Sequence, residues 1–122
     1  MNLAVVREDL GNLLGNLNAN VYYFPPEIVM TPACIVLPDN PYVTPLSIGT
    51  NKYRIKFRLT FAVAMTSNQA ALNALEDLVF AAYDALPVGY ILGEVSDPRP
   101  VNLGQADLLS CEMLVEVITQ IE

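Results

Sequence analysis

Residues 52–65 read KYRIKFRLTFAVAM, and their side chains alternate in character along the whole stretch. Tyr53, Ile55, Phe57, Leu59, Phe61 and Val63 share one parity, while Lys52, Arg54, Lys56, Arg58 and Thr60 share the other. Successive side chains of a strand point to opposite faces, so the pattern predicts one long strand with an apolar and a basic face. At about 3.3 Å per residue it would run roughly 46 Å, longer than most strands of a small domain. Part of it is therefore expected to project as a hairpin arm.

The closing segment repeats the pattern. From Leu108 to Ile121, Cys111, Met113, Val115, Val117 and Ile121 alternate with Glu112, Glu116, Gln120 and Glu122, which predicts a second half-buried strand. If the two strands pair, Glu112 and Glu116 meet the row Lys52, Arg54, Lys56 and Arg58 across the ladder, at roughly 0.2–1 kcal/mol per opposite-charge pair. Contact of that row with another subunit, and tracking of a nucleic-acid backbone, are the two competing readings.

Two amphipathic helices complete the core. Leu3, Val6, Leu10, Leu13 and Leu14 lie at helical spacing, and Gly15 with the Asn-rich Asn16–Asn20 ends that run. The second helix is expected to start from Thr66 with Gln69 three residues on, a capping-box spacing, and to bury Leu72, Leu75, Val79, Ala82 and Leu86 before Pro87 and Gly89 stop it. Elsewhere the signals are weaker. Val21–Phe24, Ala33–Leu37 and Val88–Val95 read as short strands, and Asp97-Pro98-Arg99-Pro100 as a turn. Six of the nine prolines fall between Pro25 and Pro45, and Asp39–Asn51 shows no periodicity, which predicts either an irregular arm presenting Tyr42, Val43, Leu46 and Ile48 or a loose crossover whose apolar residues fold back on the core. The order helix, strands, helix, strands implies an α+β fold, a mostly antiparallel sheet with two helices packed on one face and a long hairpin or loop arm.

The 122 residues and 13.3 kDa correspond to one domain, residues 1–122. Hydrophobic residues make up 53% and charged ones 16%, which excludes general disorder. The net charge of −7 argues against general nucleic-acid binding and against adhesion to an anionic membrane. The longest uncharged stretch, Leu59–Leu75, contains Thr60, Thr66, Ser67, Asn68, Gln69 and Asn73 and does not read as a membrane span. A basic start followed by an apolar run is missing, so a cytoplasmic protein is expected.

Catalytic chemistry finds little material here. Histidine, the usual proton carrier near neutral pH, does not occur, and the six glycines form neither GxGxxG nor GxxxxGK[ST]. Cys34 and Cys111 read as buried, reduced thiols rather than a zinc or disulfide framework. Glu76, Asp77 and Asp84 sit on one predicted helix, where a solvated outer face accounts for them better than a carboxylate pair at work. The expectation is that the chain is no enzyme, with no catalytic, cofactor-binding or metal-binding residue.

Taken in order, the N-terminal helix Asn2–Leu14, the run VYYFPPEIVMTPACIVLP, the loop with DNPY, the strand KYRIKFRLTFAVAM, the helix NQAALNALEDLVFAAYDAL and the strand SCEMLVEVITQIE resemble the tail terminator proteins of long, non-contractile-tailed bacteriophages. The likeness lies in order and texture across nearly the whole chain, not in a catalytic signature. It implies a ring, usually of six subunits, that caps the tail tube, stops its polymerisation and offers its other face to the head connector or stopper. The partners implied are further copies of the chain, the major tail tube protein and the connector, with DNA passing through the lumen unbound, in the virion neck after assembly in the host cytoplasm. Tyr42, Val43, Leu46, Ile48, Lys52 and Arg54 are the expected interface residues. Another neck component, and a small carboxylate enzyme or ligand-binding module, are the alternative readings.

Overall fold

In the computed structural model, described for residues 2–17, 19–24, 29–46, 51–65, 67–103 and 106–120, the alternating stretch forms the central strand β3, Lys52–Ala64. It pairs antiparallel with β6, Ala106–Gln120, in unbroken register from Lys52↔Gln120 to Ala64↔Leu108. On its other side lies β2, Ala33–Pro45, also antiparallel. A short β1, Asn20–Tyr22, adds to β2 in parallel. Two further strands, β4 (Tyr90–Val95) and β5 (Arg99–Leu103), follow one another along the outer edge of β6. The sheet order is β1-β2-β3-β6-β4, with β5 also on β6, so the fold is α+β with a mostly antiparallel sheet and two helices.

The helices are α1, Leu3–Leu13, continued by a 3-10 turn at Leu14–Asn16, and α2, Asn68–Ala85. Asn2 caps α1, its side-chain oxygen accepting from the Val5 amide at 3.0 Å. Both helices bury their apolar stripes on one face of the sheet. Val6, Leu10 and Leu14 join Leu75, Val79 and Ala82 over Ile55, Phe57, Leu59, Phe61, Cys111, Met113 and Val115 in one core cluster. Phe57, Phe61, Leu59 and Ile55 are fully inaccessible, which accounts for the uninterrupted apolar parity of β3. Gly11 lets α1 lie flat against Tyr23, because a Cβ there would sit 3.1 Å from the tyrosine's own Cβ.

Several expectations need correcting. The strand beginning at Ala33 does not stop at Leu37 but runs to Pro45, so Asp39–Pro45 is strand and not irregular arm. It tolerates Pro38, Pro41 and Pro45 because, among the described residues, β1 covers β2 only from Ala33 to Ile35, leaving the remainder an edge with no amide required on its outer side. A register shift between Pro38 and Val43 takes up the extra residues and hides the period of two. Ser67, not Thr66, caps α2, accepting from the Ala70 amide at 3.2 Å; Thr66 lies outside the described residues. Within α2 the buried stripe is Ala71, Leu75, Leu78, Val79 and Ala82, and Leu72 faces outward. Asp97–Pro100 is no reversal. The Ser96 amide donates to the Glu112 carbonyl at 2.8 Å and the Ser96 hydroxyl accepts from the Glu112 amide at 2.9 Å, so β4 passes into β5 as one interrupted edge strand. The first short strand is Asn20–Tyr22 rather than Val21–Phe24.

Candidate functional site

Direct pairing partners share a face of a sheet, so the register settles what stands beside the basic row. Lys56 lies opposite Glu116, Arg58 opposite Leu114, Arg54 opposite Ile118, and Ile91 of β4 opposite Glu116 on its other side. All of these lie on the sheet face away from both helices. Glu116 serves two cations, with Oε2 at 3.6 Å from Arg54 Nε and Oε1 at 3.6 Å from Lys56 Nζ. Glu112 reaches diagonally to Arg58 Nε at 2.6 Å. The cross-strand pairing expected for this row is therefore present. Its members keep 27–45% of their side-chain surface in contact with solvent, so each pair is worth at most a few tenths to about 1 kcal/mol.

Between the charges stand large apolar side chains. Ile118 is 46% exposed, Leu114 41% and Ile91 49%. Ala33, Ile35, Ala62 and Leu108 are buried on this same face towards the β1 end, outside the main core cluster. The face is thus a mosaic of branched apolar groups and a partly neutralised basic ladder.

At the far end the sheet narrows. Past Tyr90↔Val117 only β2, β3 and β6 continue, through Val43↔Ile55, Thr44↔Arg54, Pro45↔Tyr53 and Lys52↔Gln120, and the Leu46 amide closes the end by donating to the Lys52 carbonyl at 3.0 Å. The expected two-stranded arm is a three-stranded tongue. It brings together five of the six expected interface residues, Tyr42, Val43, Leu46, Lys52 and Arg54; Ile48 lies outside the described residues. Val43 and Leu46 are exposed. The ring of Tyr42 stands edge-on to Phe57 with centroids 5.8 Å apart, which ties it to the core, and its buried hydroxyl finds no hydrogen-bond partner among the described residues.

The helix side carries an apolar cavity of about 380 Å³ between α2 and the β4–β5 edge, lined by Leu75, Glu76, Val79, Phe80, Tyr83, Val95, Ser96, Pro98 and Cys111. Tyr83 bounds it and donates to the Gly93 carbonyl at 2.9 Å. Glu76 is its one carboxylate; Asp77 lines a different hollow with Pro32, Val63 and Leu78. Burial, with Glu112 adding to it, pushes the Cys111 thiol up to about 11, and burial pushes Cys34 up to about 12, so neither is a ready nucleophile near neutral pH. Among the described residues no group of His, Cys, Asp and Glu is arranged to hold a metal ion, and no helix is long and apolar enough to cross a membrane. Arg99 also joins the basic face, from β5 opposite Ser110; the prolines on either side of it give this strand the sequence pattern of a turn. Neither the comparison with protein-family models nor that with curated proteins yields a match for this chain.

Proposed function

We propose that this chain is a structural virion protein that assembles into a ring, six-membered in the family it resembles, which caps a phage tail tube, stops its growth and presents a docking surface to the head connector. The observation that carries the reading is the tongue of β2, β3 and β6 with the exposed mosaic face behind it. Ile91, Leu114 and Ile118 on the face away from the helices, and Val43 and Leu46 on the tongue, are branched apolar side chains that the fold leaves exposed. A Tyr42 hydroxyl with no partner among the described residues, at the root of the tongue, costs about 1–3 kcal/mol where nothing else supplies one. Head-to-tail rings need two different mutually complementary patches per subunit, and the sheet face with its tongue is a candidate for one of them. The net charge of −7 suits a channel through which DNA must slide without sticking.

The test is a capping assay. Tail tube protein polymerising in vitro is mixed with the purified chain, and tube lengths are read by electron microscopy. Tubes that stop growing, with an added ring at one end, are the expected result. Tubes of unchanged length that still acquire no density would count against the tube-capping role, and binding to head connectors instead would move the protein to the head side of the joint.

A further inference from the structure

The basic residues of this protein are gathered on one layer, while its acids are shared between the helices and the strands. Five of its six basic residues, Lys52, Arg54, Lys56, Arg58 and Arg99, lie on the sheet face away from the helices. The helices carry Glu8, Asp9, Glu76, Asp77 and Asp84, every one exposed, against Arg7 alone. Glu112 and Glu116 neutralise the basic row only in part, since they are shared among Arg54, Lys56 and Arg58; Arg99 has Asp97 at 3.6 Å, both largely exposed, and Lys52 takes part in no ion pair among the described residues. Both layers have apolar groups amid their charges. On the sheet these are Ile91, Leu114 and Ile118; on the outside of α2 they are Leu72 and Phe80, the latter 66% exposed.

An apolar centre within a charged rim is how protein interfaces are built, and opposite rims steer and register the contact. We propose that a second copy of this chain seats its acidic helix layer, centred on Leu72, Glu76, Asp77 and Phe80 of α2, on the basic sheet face of the first. A sheet-to-sheet contact would set five basic residues against the same five, and a helix-to-helix contact would do the like with the acids. Only the front-to-back arrangement brings unlike charges together. Such a contact is heterologous, so it propagates from copy to copy and closes into a ring when the rotation per step allows. A standard interface takes about 800 Å² per partner, roughly a tenth of the 7341 Å² this subunit exposes, which either layer can supply. This inference rests on the self-assembling part of the proposed function and not on the tail tube.

A charge swap tests it, using the full chain. Lys52→Glu with Lys56→Glu makes the sheet face acidic; Glu76→Lys with Asp77→Lys and Asp84→Lys makes the helix layer basic. In each variant alone, both layers carry the same sign. Mixed in equal amounts, every front meets an opposite back. Sedimentation velocity is expected to show an assembling wild type, two monomeric variants with native circular dichroism, and assembly restored in the mixture. Because Lys56 belongs to the ladder with Glu116, a sheet variant that fails to fold is replaced by Lys52→Glu with Arg99→Glu, at two exposed positions. The wild type supplies an independent reading: raising salt from about 50 to about 500 mM, which shortens the screening length several-fold, should weaken association by about tenfold or more. A wild type that is monomeric throughout, a variant that associates like wild type, a mixture that stays monomeric, or salt-sensitive DNA binding by a monomer would each overturn the proposal. A ring held by strand edges would fail the swap yet keep its effect on tail length. A successful swap with tails of normal length would leave the contact standing and remove the terminator role.

Discussion

Gly93 offers a test of the edge on which the sheet face depends. It lies in β4 against Leu114 of β6, and a Cβ built on it would stand 2.9 Å from the Leu114 carbonyl oxygen and 3.0 Å from the Leu114 Cβ. Both neighbours belong to the backbone or lie next to it, so β4 must move outward by about half an ångström to restore ordinary contact. That shift strains the ladder from Tyr90↔Val117 to Leu92↔Val115 and the 2.9 Å bond from the Tyr83 hydroxyl to the Gly93 carbonyl. Overpacking of this kind costs about 1–3 kcal/mol. Against it stands the usual gain of about 0.4–1 kcal/mol when alanine replaces glycine and restricts the unfolded chain. Gly93→Ala is therefore expected to lose a net ~1–2 kcal/mol, a fall in Tm of roughly 3–10 °C for a domain of this size. Thermal unfolding at fixed protein concentration reads the loss. Gly15→Ala is the control: a Cβ there meets nothing within 4 Å, and that variant should match or slightly exceed the wild type. A Gly93→Ala protein as stable as Gly15→Ala would refute the close approach of β4 to β6.

Three further outcomes are expected. The contact between Arg58 and Glu112 should show a coupling of about 0.2–1 kcal/mol in a double-mutant cycle of Arg58→Ala and Glu112→Ala, fading at high salt; a coupling of several kcal/mol would contradict its half-exposed setting. Val43→Ser with Leu46→Ser should leave a folded chain that no longer assembles, whereas Tyr42→Ser should also lower stability because its ring packs on Phe57; undiminished assembly of the first variant would take the tongue out of the interface. Folding raises the Cys34 thiol from 9.0 to about 12 and the Cys111 thiol from 9.0 to about 11. A group whose pKa is raised by folding contributes fully below its unfolded value and loses that contribution as the pH climbs to the folded one. Urea unfolding should thus show stability falling from about pH 9 towards pH 11–12, by at most ~1.4 kcal/mol per pH unit for each thiol, less steeply in Cys34→Ala; equal slopes in the two proteins would count against burial of this thiol.

The central ladder was legible in the sequence because β3 and β6 bury one face along most of their length, Ala62 and Leu108 being buried on the other face only at one end. A period of two then survives over the whole strand, and it also places Glu112 and Glu116 beside the basic row. Strands at the margin were harder. Beyond Pro38 the register of β2 slips by several residues, so Tyr42 and Val43 lose their alternation although both remain in a strand. Prolines 98 and 100 look like turn residues, yet an edge strand asks for no amide on its open side, and Ser96 supplies the missing link to Glu112. In α2 the choice between Leu72 and Leu78 depends on the direction from which the sheet approaches, which helical spacing alone leaves open. The candidate surface was readable residue by residue along β3 and invisible as a surface. Arg99 is 41 positions from Arg58 in the chain, and only the hairpin of β5 and β6 brings it onto the same face.

The proposed terminator role is tested most directly by tail length. Electron microscopy of phage lysates lacking this gene should show overlong tubes without heads beside filled, tailless heads. Free tails of normal length beside DNA-leaking heads, or intact virions, would contradict it.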